Sequence, residues 1–313
     1  MSRNNFQPVP SQSQTPNLQR SDAQTSPKLL PDLACDCHIH ILGPQEQYVF
    51  SSDRQYTPMD ALVPDAMKML NNLGMSRAVI IQPSVYGTDN RCTLDAMLSF
   101  PISTRAVVAI PPESQPGDLY ELQKKGVRGV RLNGIHWNSL ELQERYHAYE
   151  DLFEPMKSLN WHFELYIGSQ AYPALLSIAK ISELDLVLDH LGGSFHQDET
   201  IEERINALDC LARTDRVWVK LSALYRLRGD QKNTSWCYPI INHLVSNFPH
   251  RLIWGSDWPH TPDHRKRQTV RRKTLPFQKI DAYQFLDDIL LQTKDDKLRD
   301  KIFVGNPEIL YDF

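Results

Sequence analysis

Ala34-Cys35-Asp36-Cys37-His38-Ile39-His40-Ile41 is the stretch on which the fold turns. Side chains alternate between the faces of a strand, so Asp36, His38 and His40 are expected on one face, with Leu33, Cys35, Cys37 and Ile39 on the other. In a closed barrel one such face points inward and the opposite one packs on the helices. Two histidines on the inward face would stand together near the C-terminal mouth, where barrel active sites lie. The cysteines would then face the helix layer as small buried thiols, which argues against a Cys-x-Cys metal site. Taken alone, the His-x-His pair also fits a pair of satisfied core polar groups.

Outward from this strand, β-branched and apolar runs recur at residues 33–41, 77–82, 104–110, 127–132, 161–167, 184–189, 216–221 and 251–254. Helical spacing of apolar residues fills much of the intervening chain, at 65–73, 147–159, 172–181, 201–212 and 239–248. Strands alternating with helices imply βαβ units and a parallel sheet. Eight strands over about 280 residues predict a single-domain (β/α)8 TIM barrel spanning residues 31–313. The open doubly wound sheet is the competitor, but no glycine fingerprint for dinucleotide phosphates follows the first strand. Residues 1–30, rich in Ser, Gln, Pro and Asn, predict a disordered N-terminal tail. Their acidic and proline content is wrong for a mitochondrial presequence.

The 313 residues are 41% hydrophobic and 23% charged, with a net charge of -4. That balance argues against a protein held to nucleic acid or anionic lipid by its overall field. No apolar run approaches the roughly 20 residues of a membrane span, and no secretory signal opens the chain. Five cysteines in irregular spacing suit a reducing compartment, so a cytoplasmic location is expected. Oligomeric state is left open.

Three further strand ends carry ionisable groups. Strand 6 ends in Val187-Leu188-Asp189-His190. Strand 7 runs through Val219-Lys220-Leu221-Ser222 to Tyr225-Arg226. Strand 8 leads through Ile253-Trp254-Gly255-Ser256-Asp257-Trp258-Pro259-His260. Ionisable residues at the C-terminal ends of strands 1, 6 and 8 of one barrel point to catalysis by His38, His40, His190 and Asp257 rather than to packing.

These motifs, with Gln82-Pro83-Ser84-Val85-Tyr86-Gly87 after strand 2, Gly129-Val130-Arg131 at strand 4 and the closing Gly305-Asn306-Pro307-Glu308-Ile309-Leu310-Tyr311, resemble the amidohydrolase superfamily. Within it the chain is most similar to 2-pyrone-4,6-dicarboxylate lactonases, over almost everything from Cys35 to Phe313. The resemblance implies a hydrolase that opens a carboxylate-bearing lactone. Asp257 would be the general base on water, with His38, His40 and His190 polarising the carbonyl. Tyr56, Ser84, Arg131, Tyr166 and Arg226 match positions that line the pocket or hold substrate carboxylates. For Arg131 the alternative is a strand-end ion pair, and for Tyr56 and Tyr166 it is wall packing. Two departures narrow the substrate. Leu191-Gly192-Gly193-Ser194 lacks the arginine that the dicarboxylate lactonases carry there, and Trp137 stands where that family tends to use basic residues. A related lactone, with one carboxylate or an apolar substituent, is therefore expected.

The resemblance also bears on metals. His38, His40, His190 and Asp257 could hold a single divalent ion such as zinc. A binuclear centre is not expected, because strand 4 offers Arg131 and strand 5 offers Tyr166 where metal ligands would be needed. The lactonase branch works without a metal, so no cofactor is expected, and a zinc-dependent decarboxylase or amide hydrolase on the same barrel is the alternative. His162, at the start of strand 5, is read as structural. The basic run His264-Arg265-Lys266-Arg267-Gln268-Thr269-Val270-Arg271-Arg272-Lys273 reads as a solvated insertion, with a lid for an anionic substrate or an import patch as alternatives.

Overall fold

The computed structural model describes residues 30–195, 198–227, 234–262 and 274–313. Apart from Leu30, the expected tail lies outside the described residues, as does the basic run 264–273.

Eight strands follow one another around a parallel sheet: β1 (Cys35–Ile39), β2 (Arg77–Ile81), β3 (Ser103–Val108), β4 (Val127–Gly134), β5 (His162–Ile167), β6 (Leu186–Leu188), β7 (Val217–Ser222) and β8 (Leu252–Gly255). The order is sequential, so the sheet curls into a nearly closed TIM barrel. Its seam is closed just past β8, where Asp257 N–H donates to His38 O at 2.9 Å and His40 N–H donates to Trp258 O at 2.8 Å. A two-residue ribbon, Thr57–Pro58 with Thr274–Leu275, stands apart from the barrel.

Helices fall between the strands, several with sequence-encoded starts. Helix Ile201–Ala212 opens on a capping box, Thr200 with Glu203, and Ala282–Gln292 is capped by the Asp281 carboxylate. The apolar spacing over 147–159 is not one helix. The chain forms Ser139–His147, a 3-10 turn at Glu150–Leu152, and then Phe153–Ser158. Pro155 lies in the first turn of the last piece, where its missing N–H costs nothing. No helix among the described residues is long and apolar enough to cross a membrane.

One feature of β1 departs from simple alternation. Asp36 pairs with Ala78, but the next aligned pair is Ile39 with Ile80, so β1 takes three steps where β2 takes two. This β-bulge re-phases the strand by one residue. Cys35 and Cys37 consequently pack inside the barrel with Val79, Ile81, Val107, Val187, Trp218 and Ile253, not against the helices. His38, directly after Cys37, is brought inward by the extra residue, and Asp36 leaves the histidine face. Its Oδ1 accepts from Ser256 N–H at 2.9 Å and His38 N–H at 3.1 Å.

Candidate active site

The interior is apolar at its floor and charged above. Leu310 and Tyr311, from the C-terminal helix, pack into the same cluster as Cys35 and Cys37. His162 meets the Tyr311 ring at 5.4 Å and lines no part of the cavity described below, in keeping with a structural position. The next layer holds Glu164 of β5, Asp189 after β6, Lys220 of β7 and His38, all fully buried. Lys220 Nζ lies 2.6 Å from Glu164 Oε2, 3.3 Å from Asp189 Oδ1 and 3.2 Å from His38 Nδ1. Burial, seconded by Asp189, pushes Glu164 up to about 8. Burial works against the charge of Lys220, but the two carboxylates beside it win and hold the ammonium above its ordinary value.

Above that layer the four predicted groups meet. Asp257 Oδ1 is 3.6 Å from His38 Nε2, 3.7 Å from His40 Nε2 and 3.9 Å from His190 Nε2. Backbone conformation turns these side chains in. His190 and Leu191 after β6, Ala223 after β7 and Asp257 after β8 all have left-handed φ, between 44° and 61°, at a cost of about 1–3 kcal/mol each that the surrounding contacts must offset. Close approach adds a second requirement: a Cβ on Gly255 would lie 2.5 Å from His38 Cβ, so His38 fits only beside a glycine.

Asp257 is held from its far side. Its Oδ2 accepts from Tyr225 OH and Arg226 Nε, both at 2.6 Å. Burial opposes ionisation, yet Arg226 and then His190 overcome it and keep the carboxyl well below the usual range. Burial lowers all three imidazoles, His190 to about 4, so they are neutral near pH 7.

A narrow cavity of about 10 Å³ opens over this cluster. His40, His190 and Asp257 line it, with every expected wall residue: Tyr56, Ser84, Arg131, Tyr166 and Arg226. Asn133 and Thr261 also line it, and His38 lies beneath. Arg131 makes the ion pair offered as its alternative reading, with Asp189 Oδ2 at 3.1 Å, and also donates to Gln82 O at 3.0 Å. Its Nε faces no partner. Arg226 serves Asp257 and the Thr261 carbonyl and hydroxyl, so it is a strut as well as a wall. The 191–194 segment does have an arginine behind it. Arg204 is fully buried and donates to the carbonyls of Leu191, Gly193 and Ser194 and to Glu199, without lining the cavity.

One expectation is corrected. The three imidazoles do not all present an N–H. His40 Nδ1 is 2.7 Å from Ile81 O, a carbonyl that can only accept, so the ring proton is on Nδ1 and Nε2 offers a lone pair. Glu164, Asp189, Lys220, Ser222 and Tyr225 are the groups that sequence reasoning left without a role. The available signal was two-residue spacing, since Glu164 precedes Tyr166 and Lys220 precedes Ser222 on the inward faces of their strands.

Two sets could in principle ligate an ion, His38 with Asp189 and His190, and His38 with His40 and Asp257, their ligand atoms lying within 4.8 Å of one another. Spacing favours a metal; charge does not. Lys220, Arg131 and Arg226 already counter the carboxylates of this layer, and with Glu164 pushed up to about 8 the positive charges are not outnumbered, so a divalent cation would add uncompensated charge to a buried layer. The residues present do not fit a resident divalent ion.

Comparison with known proteins agrees with this architecture. Residues 35–313 match the family model described as amidohydrolase. A 4-sulfomuconolactone hydrolase of Hydrogenophaga intermedia is 31% identical over 74% of this chain and 77% of its own length. A 2-pyrone-4,6-dicarboxylate hydrolase of Comamonas testosteroni is 29% identical over 90% of this chain and 91% of its own. A solved structure from Acinetobacter baumannii, described as a probable 2-pyrone-4,6-dicarboxylic acid hydrolase with citric acid bound, superposes with a TM-score of 0.74. It has 25% identity and covers 90% of this chain and 100% of that one. With its motifs, its barrel and its mouth-facing cluster all of one kind, the chain belongs to the amidohydrolase family.

Proposed function

We propose that this chain hydrolyses a lactone bearing one anionic group, without a metal, using Asp257 as general base. It is an enzyme of a family whose relatives here act on cyclic esters, 4-sulfomuconolactone and 2-pyrone-4,6-dicarboxylate among them. The observation that carries the reading is the division of labour at Asp257. Oδ2 is fully occupied by Tyr225 and Arg226, and Oδ1 faces the imidazoles at the cavity floor.

Oδ1 takes a proton from a water as the water oxygen attacks the lactone carbonyl carbon. His190 Nε2 is the donor for the developing oxyanion. Ser222 Oγ accepts from the His190 backbone N–H at 3.2 Å and returns its hydroxyl proton to Nδ1 at 2.8 Å, leaving the ring proton on Nε2. The proton on Asp257 then passes to the ring oxygen as the C–O bond breaks, giving the hydroxy acid. Arg226 lowers the basicity of Asp257, which weakens the pull on water. The compensation is a base held ionised well below the usual carboxylate range, acting on an ester already more reactive than an amide. The anionic group of the substrate is assigned to Arg131, the lining guanidinium that does not hold Asp257. Arg226 and Arg204 are committed elsewhere, which supports one anionic anchor rather than two.

The test is a panel of lactones with zero, one or two carboxylates or sulfonates, assayed with chelator present. Singly anionic lactones should be opened fastest. Asp257→Asn should lower kcat by about 10²–10⁴, the usual worth of a positioned base. Undiminished turnover by Asp257→Asn would end the mechanism; loss of wild-type activity on chelation would end only its metal independence.

A further inference from the structure

Lys220 touches no part of the cavity, yet its buried ammonium sits directly under the reacting groups. Its ammonium makes two hydrogen bonds, to Glu164 Oε2 at 2.6 Å and His38 Nδ1 at 3.2 Å, with Asp189 Oδ1 an ionic neighbour at 3.3 Å. An ammonium has only protons to offer, so His38 Nδ1 accepts and carries none. Asp189 Oδ1, 3.2 Å from the same nitrogen, is the acceptor an Nδ1 proton would have in the other tautomer, and Lys220, which can only donate, selects against that tautomer. A neutral imidazole with a bare Nδ1 has its proton on Nε2. His38 Nε2 stands 3.3 Å from His40 Nε2, which must accept, because the His40 proton is on Nδ1 and bound by Ile81 O. The order of protons is consistent from end to end, from Lys220 through His38 and His40 to a backbone carbonyl.

We propose that Lys220 is a positioning residue that fixes His38 in the Nε2–H tautomer, and that this hydrogen bond keeps His38, His40 and Asp257 from acting as a divalent-metal site. Reversing the tautomer would turn Nδ1–H toward Asp189 and bare Nε2. Lone pairs of His38, His40 and Asp257 would then face one another at 3.3–3.7 Å, close to the edge of a tetrahedral zinc site with bonds of about 2.1 Å. A carboxylate behind the far nitrogen is also the arrangement that makes an imidazole a stronger ligand. Two chemistries are thus separated by one proton position. The inference rests on the proposed function only in taking Asp257 and its imidazoles as the reacting centre.

The experiment is long-range ¹H–¹⁵N correlation of ¹⁵N-histidine protein near pH 7.5, in wild type, Lys220→Met and Lys220→Gln, followed by titration with Co²⁺ and visible spectroscopy. Wild type should show His38 protonated on Nε2 and no tetrahedral cobalt bands at one equivalent. Lys220→Met should move the proton to Nδ1 and bind Co²⁺ about 10–100-fold more tightly, the range typical of changes behind a ligand. Lys220→Gln, which removes the same charge but keeps an N–H donor, should retain the wild-type tautomer and bind Co²⁺ less tightly than Lys220→Met. A wild-type His38 protonated on Nδ1 overturns the proposal, and this spectrum decides even if Lys220→Met does not fold. Equal cobalt binding by both variants overturns it as well, because the tautomer would then add nothing to the charge that both variants remove. No substrate is used, so this proposal and lactone hydrolysis can fail independently.

Discussion

Adding one methyl group at position 255 should disable the enzyme while leaving its fold in place. A Cβ built on Gly255 lies 2.5 Å from His38 Cβ, 2.9 Å from His38 N and 3.2 Å from His38 Cα, where ordinary contacts begin near 3.4 Å. Strand β1 must therefore retreat by about 0.9 Å, and close packing gives it little room. It is tied on the same side by Asp257 N–H to His38 O and by Ser256 N–H to Asp36 Oδ1, both at 2.9 Å, so the seam of the barrel moves with it. Overpacking of this kind costs about 1–3 kcal/mol. For a chain of this size that is a fall in Tm of about 2–6 °C. The displaced groups are His38 and Asp257 themselves, and a shift approaching 1 Å at reacting groups costs about 10²-fold in rate. Gly255→Ala should therefore lose about 100-fold in kcat/KM with its circular dichroism retained. Gly117→Ala, with nothing within 4 Å of the added carbon, is the control and should match wild type. Wild-type kcat/KM in Gly255→Ala would refute the claim that backbone contact between β8 and β1 sets the catalytic geometry.

Two further outcomes follow from the buried charges. Arg226→Met removes the group that holds Asp257 ionised, so the carboxyl should titrate at higher pH. The acid limb of the kcat/KM profile should move upward, with a stability loss of about 3–5 kcal/mol for the broken buried pair; an unmoved acid limb would contradict the assignment of the base. Stability itself should fall on acidification from pH 6.5 toward 4. Burial holds His190 and His260 at about 4 and His162 at about 3, whereas in the unfolded chain they titrate near 6.5. In that window the unfolded chain binds the extra protons, each at about 1.4 kcal/mol per pH unit. Asp36, raised to about 6, and Glu164, raised to about 8, act in the opposite sense, since their folded forms keep protons the unfolded chain releases. A net loss of at least about 1.4 kcal/mol per pH unit near pH 5 should appear in denaturant titrations at stepped pH; a flat profile between 6.5 and 5 would contradict it.

How far the sequence reached can be judged from particular residues. The alternation of strand and helix was enough for the barrel, because a parallel sheet with helical crossovers has few ways to bury its apolar faces. Ionisable side chains at the ends of strands 1, 6 and 8 were enough to bring His38, His40, His190 and Asp257 to one place, since every parallel strand of a barrel ends at the same rim. The five wall residues inherited from the family likeness do surround one cavity. The helix expected over 147–159 failed because apolar spacing continues across a break that only the backbone reveals.

Sequence by itself determined which strands exist, their order and the rim at which the ionisable groups collect, all consequences of local period and chain connectivity. Tertiary structure decided the phase of β1, because its bulge is defined against β2 and moves Cys37 and His38 together. It also decided where protons sit. Whether His38 offers a proton or a lone pair depends on Lys220 and Asp189, which two other strands bring within about 3.2 Å of its Nδ1. Hydrogen bonds at that range are set by atoms distant in the chain, and no pattern of neighbouring residues encodes them.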